Sequence, residues 1–177
     1  MEKITVFLSD WQVLFREGIH FTLSGEEDIE VIGETTSSEE ALAFIEQRPP
    51  RIAILNAEHG RLTGIEAAGR IKQTLPEVSV ILVMESDDEE KFFSAMKSGA
   101  SACVTKDIDP GELIDIINEV VQGANPISRA LLRPEIAKRV LNEFEFFTSV
   151  GGSLGELLAR LTPREAEILR HLAGGSS

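Results

Sequence analysis

Residues 51–72, RIAILNAEHGRLTGIEAAGRIK, contain the pattern that decides the fold. A short apolar run, Ile52–Leu55, leads to the small polar residue Asn56, and eight residues later Gly64 opens a stretch with helical character. A buried strand that ends on a polar side chain, followed by a loop, a glycine and a helix, is typical of a site at the carboxyl edge of a parallel sheet. An aspartate here could accept a phosphoryl group and bind a metal ion, whereas asparagine is neutral and a poor nucleophile. The stretch therefore predicts a parallel α/β fold with a polar site at the edge of the sheet, and it raises the question of whether that site was built for phosphorylation and then lost it.

Strand and helix patterns alternate through the first 122 residues. The β-rich runs are Ile4–Leu8, Ile29–Ile32, Ile52–Leu55, Val78–Val83 and Ala102–Thr105. Helical patterns follow them, most clearly at residues 113–121, where apolar side chains recur with the spacing of an amphipathic helix. Because parallel strands need crossover connections, five strands alternating with five helices predict an α/β fold with a five-stranded, doubly wound parallel sheet.

Two helix starts match the capping box, in which a Ser or Thr and a Glu three residues later each accept a backbone N–H. They are Ser37 with Glu40 and Thr63 with Glu66. The acidic run Glu85–Glu90 is interpreted as a solvated helix N-terminus, which the helix dipole favours. A docking surface for a basic partner is the alternative interpretation of this run.

Composition limits the classes of function. The 177 residues are 42% hydrophobic and 27% charged, as in a soluble globular protein, and no apolar run approaches the ~20 residues of a membrane-spanning helix. The single cysteine, Cys103, cannot form an internal disulfide, so a reducing cytoplasm is expected. The sequence has no phosphate-binding loop, dinucleotide motif, hydrolase triad or metal-ligand spacing, so we expect no enzyme, catalytic residue, cofactor or metal.

Charge separates the two ends of the chain. Residues 1–122 contain 10 Lys/Arg against 24 Asp/Glu, a balance of −14, whereas residues 123–177 contain 7 against 6, a balance of +1. An acidic body repels nucleic acid phosphates. Contact with DNA is therefore expected only from the C-terminal part.

The pattern changes at Gly123–Pro126, where glycine and proline interrupt the helical periodicity. Residues 128–147 are again predicted to be helical, and a further capping box with proline at the first helical position follows at residues 162–165. These features predict a first domain at residues 1–122, a linker containing a helix at 123–153, and a further helical segment at 154–177.

Four stretches in this order resemble a NarL/FixJ-type bacterial response regulator: FLSDWQVLFREGI, LNAEHGRLTGIEAAGRIK, SDDEEKFFSAMKSGASACVTKDIDPGELIDII and LTPREAEILRHLAGGSS. The resemblance covers nearly the whole chain. It implies a flavodoxin-like receiver domain, (βα)5, then a linker helix and a partial all-α segment, the start of a LuxR-type helix-turn-helix. Receivers of this family bind magnesium through an acidic pair, accept a phosphoryl group on an aspartate, and contact it with a Ser or Thr and a lysine.

The resemblance assigns these pocket positions to five residues of this chain. The acidic pair is Asp10 and Trp11, the acceptor is Asn56, the hydroxyl position is Met84, and the lysine is Lys106. Asp10 and Lys106 match the family, and the other three do not. Three substitutions together favour natural loss of phosphotransfer over an engineered Asp→Asn block. Trp11 and Met84 are expected to fill the cavity, and Lys106 to pair with Asp10 or to hydrogen-bond Asn56. The alternatives are that Lys106 senses an anion or another ligand and that Trp11 stacks on a small ligand at the sheet edge.

The resemblance and the degenerate pocket together predict an atypical response regulator that controls transcription independently of phosphorylation. Pairing of two copies through the first and last receiver helices, about residues 12–24 and 110–122, or contact with a protein partner would then set its state. The family's recognition helix would lie past Ser177, so DNA binding is expected only if the chain continues there. The alternatives are an interaction adaptor without DNA binding and a small-molecule sensor using the pocket around Trp11, Asn56 and Met84.

Overall fold

The computed structural model describes residues 2–86, 88–128, 138 and 141–142. The chain divides after Pro126 into two units, and the first of these contains the sheet with its helices. Apart from four residues of the predicted linker helix, the segments 128–147 and 154–177 lie outside the described residues, and with them the predicted helix-turn-helix. The predicted domain boundaries stay predictions.

Five parallel strands alternate with five helices. In chain order they are β1 Ile4–Ser9, α1 Val13–Ser24, β2 Ile29–Thr35, α2 Ser38–Gln47, β3 Ile52–Asn56, α3 Gly64–Thr74, β4 Ser79–Met84, α4 Glu89–Lys97, β5 Ala102–Thr105 and α5 Pro110–Val121. The strand order β2-β1-β3-β4-β5 is that of the flavodoxin-like fold. The predicted doubly wound parallel sheet is confirmed, and the largest difference is β2, which runs three residues further than the apolar run that predicted it.

Helices cover both faces of the sheet, and so every residue of β3, the central strand, is buried. Alternate strand residues point to opposite faces. One face, containing Val6, Ile54 and Val83, packs against α1 and α5 through residues such as Leu23 and Ile117. Burial of each such side chain stabilises the fold by about 1.5–3 kcal/mol. In the described part of the chain, no helix has the length and apolarity needed to cross a bilayer.

Capping side chains fix the helix starts around the carboxyl edge of the sheet. The Thr63–Glu66 capping box is complete, and at Ser37 the side chain accepts the backbone N–H of Glu40. Helix α4 begins at Glu89, and the Asp88 side chain accepts two of its first backbone N–H groups. Of the acidic run Glu85–Glu90, only the residues from Asp88 onward therefore form a helix N-terminus.

Gly64 brings the start of α3 into direct contact with the end of β3. A Cβ atom at this position would lie 1.9 Å from the backbone oxygen of Asn56 and 3.0 Å from the Cα of Ala57. Only a residue without a side chain permits this approach. The glycine thereby fixes the path of the chain on both sides of the loop that follows Asn56.

Candidate functional site

The sheet register brings the carboxyl ends of four strands to one edge. Ser9 pairs with Leu55, which places Asp10, the residue after β1, beside Asn56 at the end of β3. Strand β4 continues the edge, and Lys106 follows β5 directly. The order of the strands reverses between β1 and β3, so the loops after these two strands diverge and leave a crevice.

Asn56 is held at both ends of its amide. The Nδ2 group donates to Asp10 Oδ2 at 3.1 Å and to Glu85 Oε1 at 2.7 Å. The Oδ1 atom accepts the backbone N–H groups of Glu58 at 3.1 Å and His59 at 2.9 Å. The residue as a whole is only 4% exposed. Both donor hydrogens and both acceptor positions are thus used inside the protein.

Asp10 and Lys106 form a largely buried ion pair. Lys106 Nζ lies 3.1 Å from Asp10 Oδ1, and the two side chains are 18% and 5% exposed. Asp10 Oδ1 also accepts the backbone N–H of Gln12 at 2.8 Å, and Lys106 donates to the Gln12 side-chain oxygen as well. A buried carboxylate requires such partners, and the expected ion pair is confirmed.

Trp11 lies over the rim of the site. Its ring stacks on His59, with 4.7 Å between ring centroids and 24° between the planes, and Lys106 Nζ lies 5.1 Å from the indole centroid. Trp11 is 40% exposed, so the expectation that it fills the cavity is wrong: it lies two residues after the end of β1, and its ring packs on His59 in the loop after β3. Met84 is buried at the end of β4, and the next residue, Glu85, enters the hydrogen-bond network instead.

Glu85 is the residue of this site that the sequence did not reveal. Its Oε1 atom accepts hydrogen bonds from Trp11 Nε1 at 2.6 Å and from Asn56 Nδ2 at 2.7 Å, and it lies 3.1 Å from Lys106 Nζ. Burial alone raises the pKa of Glu85, but the hydrogen bonds from Trp11, Asn56 and Lys106, with the charge of Lys106, hold the pKa below its ordinary value. Its position directly after β4, at the same edge as Asn56, is the signal in the sequence that could have found it.

The arrangement does not fit the magnesium site that the resemblance implies. Magnesium requires octahedral oxygen ligands, usually including carboxylates. Both oxygens of Asp10 are already hydrogen-bonded, and the adjacent cation is Lys106. Trp11 contributes no oxygen, and among the described residues no group of three or more His, Cys, Asp or Glu side chains is arranged to hold a metal ion.

Comparison with known proteins identifies the family that most of the first unit matches. The response regulator receiver domain model matches residues 6–118. The chain is 32% identical over 174 residues to the uncharacterized transcriptional regulatory protein YxjL of Bacillus subtilis (strain 168), covering 98% of this chain and 77% of that protein. It is 29% identical over 186 residues to the transcriptional regulatory protein DegU of Brevibacillus brevis, covering 99% and 77%.

Solved structures show the same fold. The signal receiver domain of the response regulator NarL from Mycobacterium tuberculosis superposes with a TM-score of 0.67 at 26% identity, covering 70% of this chain and 99% of that one. A DNA-binding response regulator of the LuxR family from Staphylococcus aureus superposes with a TM-score of 0.64 at 24% identity, covering 67% and 98%. At 24% identity, the similarity to this second structure concerns the fold alone.

Proposed function

We propose a phosphorylation-independent mode of action for this chain, which belongs to the response regulator receiver domain family and is a response regulator. The observation that carries the proposal is that the Asn56 side chain is fully hydrogen-bonded. Its amide occupies the position of the family's phosphoryl acceptor, and every one of its hydrogen-bonding positions has a partner within the protein. An amide held in this way positions loops rather than attacking a phosphoryl group.

The surroundings of Asn56 support the same conclusion electrostatically. A transferring phosphoryl group carries negative charge, which cations and hydrogen-bond donors stabilise in the family's mechanism. Here the nearby ammonium of Lys106 is shared between the carboxylates of Asp10 and Glu85. An incoming phosphoryl group would meet two negative charges against one positive charge. Phosphotransfer is therefore disfavoured by charge as well as by the weak nucleophile.

Incubation with acetyl phosphate tests this mode of action. Intact-mass spectrometry of residues 1–177 should show no added phosphoryl group, while a receiver that retains the acceptor aspartate, treated in parallel, should gain one. A wild-type product carrying one phosphoryl group on the receiver unit would overturn the proposal.

We propose that two copies of the chain pair through α1. Among the described residues five large hydrophobic side chains are exposed, and four of them lie between residues 11 and 21. Leu14 and Phe21 are 88% and 82% exposed and are two helical turns apart on one face of α1. Gly18, between them, has nothing within 4 Å of the place where a Cβ would lie. An apolar face of this kind marks an interaction site.

Sedimentation equilibrium over a range of concentrations tests the pairing. Wild-type protein should show a monomer–dimer equilibrium, and Leu14→Glu or Phe21→Glu should shift it to monomer. Gln73→Glu, at an exposed position of α3, is the matched control and should dimerise like wild type. A wild-type protein that stays monomeric at the highest concentration would exclude α1 pairing.

We propose that the output of this response regulator is the regulation of transcription in the bacterial cytoplasm, without an enzymatic step. The relatives that align with 98% and 99% of this chain are transcriptional regulatory proteins. In this scheme the receiver unit changes the pairing of the chain or its contact with a protein partner, and pairing sets the geometry with which DNA-binding segments meet their sites. Reporter assays with the Phe21→Glu variant measure whether pairing controls transcription. Target expression equal to that of the wild type would show that it does not.

A further inference from the structure

Three hydrogen-bond donors converge on one oxygen atom of Glu85. Trp11 Nε1 lies 2.6 Å from Glu85 Oε1, Asn56 Nδ2 lies 2.7 Å from it, and Lys106 Nζ lies 3.1 Å from it. The donors come from the loop after β1, the end of β3 and the loop after β5. An indole, an amide and an ammonium directed at a single point form an anion-binding arrangement, because charge-assisted hydrogen bonds are shorter and stronger than neutral ones.

The position of the Glu85 side chain is supported from the opposite side. The backbone N–H of Glu85 donates to Glu58 Oε2 at 2.5 Å, and the other oxygen of Glu58 lies 2.6 Å from Lys91 Nζ at the start of α4. Glu58 itself follows Asn56 in the loop after β3. The Glu85 carboxylate is thus fixed both through its side chain and through its backbone.

We propose that Trp11, Asn56 and Lys106 form an oxyanion-binding site whose resident ligand is the carboxylate of Glu85. The site would take a free oxyanion of the phosphate class when this carboxylate is removed. In the wild-type chain the tethered carboxylate excludes weakly binding free anions, because a ligand on a short tether acts at an effective concentration of about millimolar or above.

The proposal deepens the phosphorylation-independent function and rests on it in one respect. A receiver that supplies its own anion to the pocket has no need of an external phosphoryl group to bring the loops after β1, β3 and β5 together. The anion would link Trp11 and Lys106 across the crevice at all times. The loops at the carboxyl edge would then stay in one arrangement, and control would pass to pairing or to a partner.

The chain contains one tryptophan and no tyrosine, so its intrinsic fluorescence and its single indole N–H resonance both report on Trp11. We would titrate inorganic phosphate into wild type, Glu85→Ala and Glu89→Ala at constant ionic strength. Glu89 is an exposed acidic residue of the same segment, and its substitution is the matched change of charge. We expect a saturable change in Trp11 fluorescence for Glu85→Ala and none for the other two.

A second substitution identifies the donors. Adding Lys106→Met to Glu85→Ala should abolish the saturable response, because the ammonium is the charged donor of the site. Without phosphate, the indole N–H resonance of Glu85→Ala should move upfield from its wild-type position, whereas that of Glu89→Ala should stay. A Glu85→Ala protein that binds phosphate no better than wild type would overturn the proposal, and so would a response that survives loss of Lys106.

Glu85→Gln keeps the test decisive if Glu85→Ala does not fold. The amide preserves the size of the side chain and removes its charge, so the indole resonance should move upfield and phosphate should compete detectably. A resonance and a titration identical to wild type would refute the role of the carboxylate. Inorganic phosphate does not phosphorylate a side chain, so this result is independent of the acetyl phosphate experiment, and either proposal can fail alone.

Discussion

Gly64→Ala should destabilise the chain although it places alanine, the best helix former, in a helix. Gly64 is the first residue of α3 and lies against the end of β3. The added Cβ would lie 1.9 Å from the Asn56 oxygen and 2.7 Å from its carbonyl carbon, where real contacts are essentially never under 3.0 Å. Because both contacts are with backbone, no side-chain rotation relieves them.

The magnitude follows from the separation that the contact demands. Strand β3 and the start of α3 must move apart by at least 1.1 Å to restore 3.0 Å. Overpacking of this kind costs about 1–3 kcal/mol, and the hydrogen bond from Ile65 N to Ala57 O, 3.2 Å long, spans the same contact. Loss of this hydrogen bond destabilises the protein by about 1 kcal/mol more. Replacing glycine offsets about 0.5–1 kcal/mol of the total, because alanine reduces the conformational entropy of the unfolded chain. We therefore expect a net loss of about 1–3 kcal/mol in the free energy of unfolding.

Gly69→Ala provides a control in the same helix. Gly69 has nothing within 4 Å of its Cβ position, so alanine there should stabilise the chain by about 0.5–1 kcal/mol. Urea unfolding followed by far-UV circular dichroism measures both, and the two midpoints should move in opposite directions at an unchanged m-value. The Trp11 indole resonance should shift in Gly64→Ala only, since Asn56 moves. Equal midpoints for the two variants would refute the steric reasoning.

Two further predictions concern the charges of the site. Lys106→Met leaves the carboxylate of Asp10, which is 5% exposed, without its ion-pair partner, and we expect thermal unfolding to show that the protein loses about 3 kcal/mol of stability. Lys91→Met should lose clearly less, because the ion pair of Lys91 with Glu58 is more exposed. Equal losses of stability in the two variants would contradict this ranking. The lowered pKa of Glu85 means that its ionised form stabilises the fold above pH 4.5 and that this contribution disappears as the pH falls through the lowered pKa. With Lys106, Asp10 and Glu58 facing it, Glu85→Gln should weaken the pH dependence of stability at acidic pH, and a wild-type slope in this variant would exclude a role for Glu85.

The architecture and most of the edge site were predictable because they depend on local patterns. Short β-rich runs between amphipathic stretches determine the sheet, and the carboxyl ends of parallel strands must meet at one edge. The resemblance to response regulators assigned Asp10, Asn56 and Lys106 to that edge, and the strand register agrees with this assignment. Strands β1 to β4 each end at least one residue past the apolar run that predicted them, because pairing with neighbouring strands, and not hydropathy alone, decides where a strand stops.

The roles of Trp11 and Glu85 depend on tertiary placement and were not predictable. In the sequence, Glu85 is one of several acidic residues before a helix, and only its position directly after β4 distinguishes it from Glu89. Its partners come from three other loops, which a one-dimensional pattern cannot orient. Trp11 was expected to be inside because it is large and apolar, but its position two residues before α1 directs the ring along the rim, where its N–H meets the carboxylate.

An aspartate at position 56, the residue type of the family's acceptor, should damage the site. Asn56 Nδ2 donates to Asp10 at 3.1 Å and to Glu85 at 2.7 Å, and an aspartate would replace both bonds with contacts between carboxylates. At an effective dielectric constant of about 20, two like charges about 3–4 Å apart repel by about 4–6 kcal/mol, although protonation of one carboxyl relieves part of this. Asn56→Asp should therefore lower stability most at neutral pH and recover on acidification.

The double variant Asn56→Asp with Glu85→Gln separates charge from shape. Removing the Glu85 charge should restore part of the stability lost in Asn56→Asp, so that the effects of the two single substitutions do not add. Additive effects in urea unfolding would show that the two side chains are not coupled. Coupling would mean that the carboxylate of Glu85 and the amide at position 56 depend on each other: once Glu85 occupies the pocket, an acceptor aspartate is electrostatically incompatible with the fold around it.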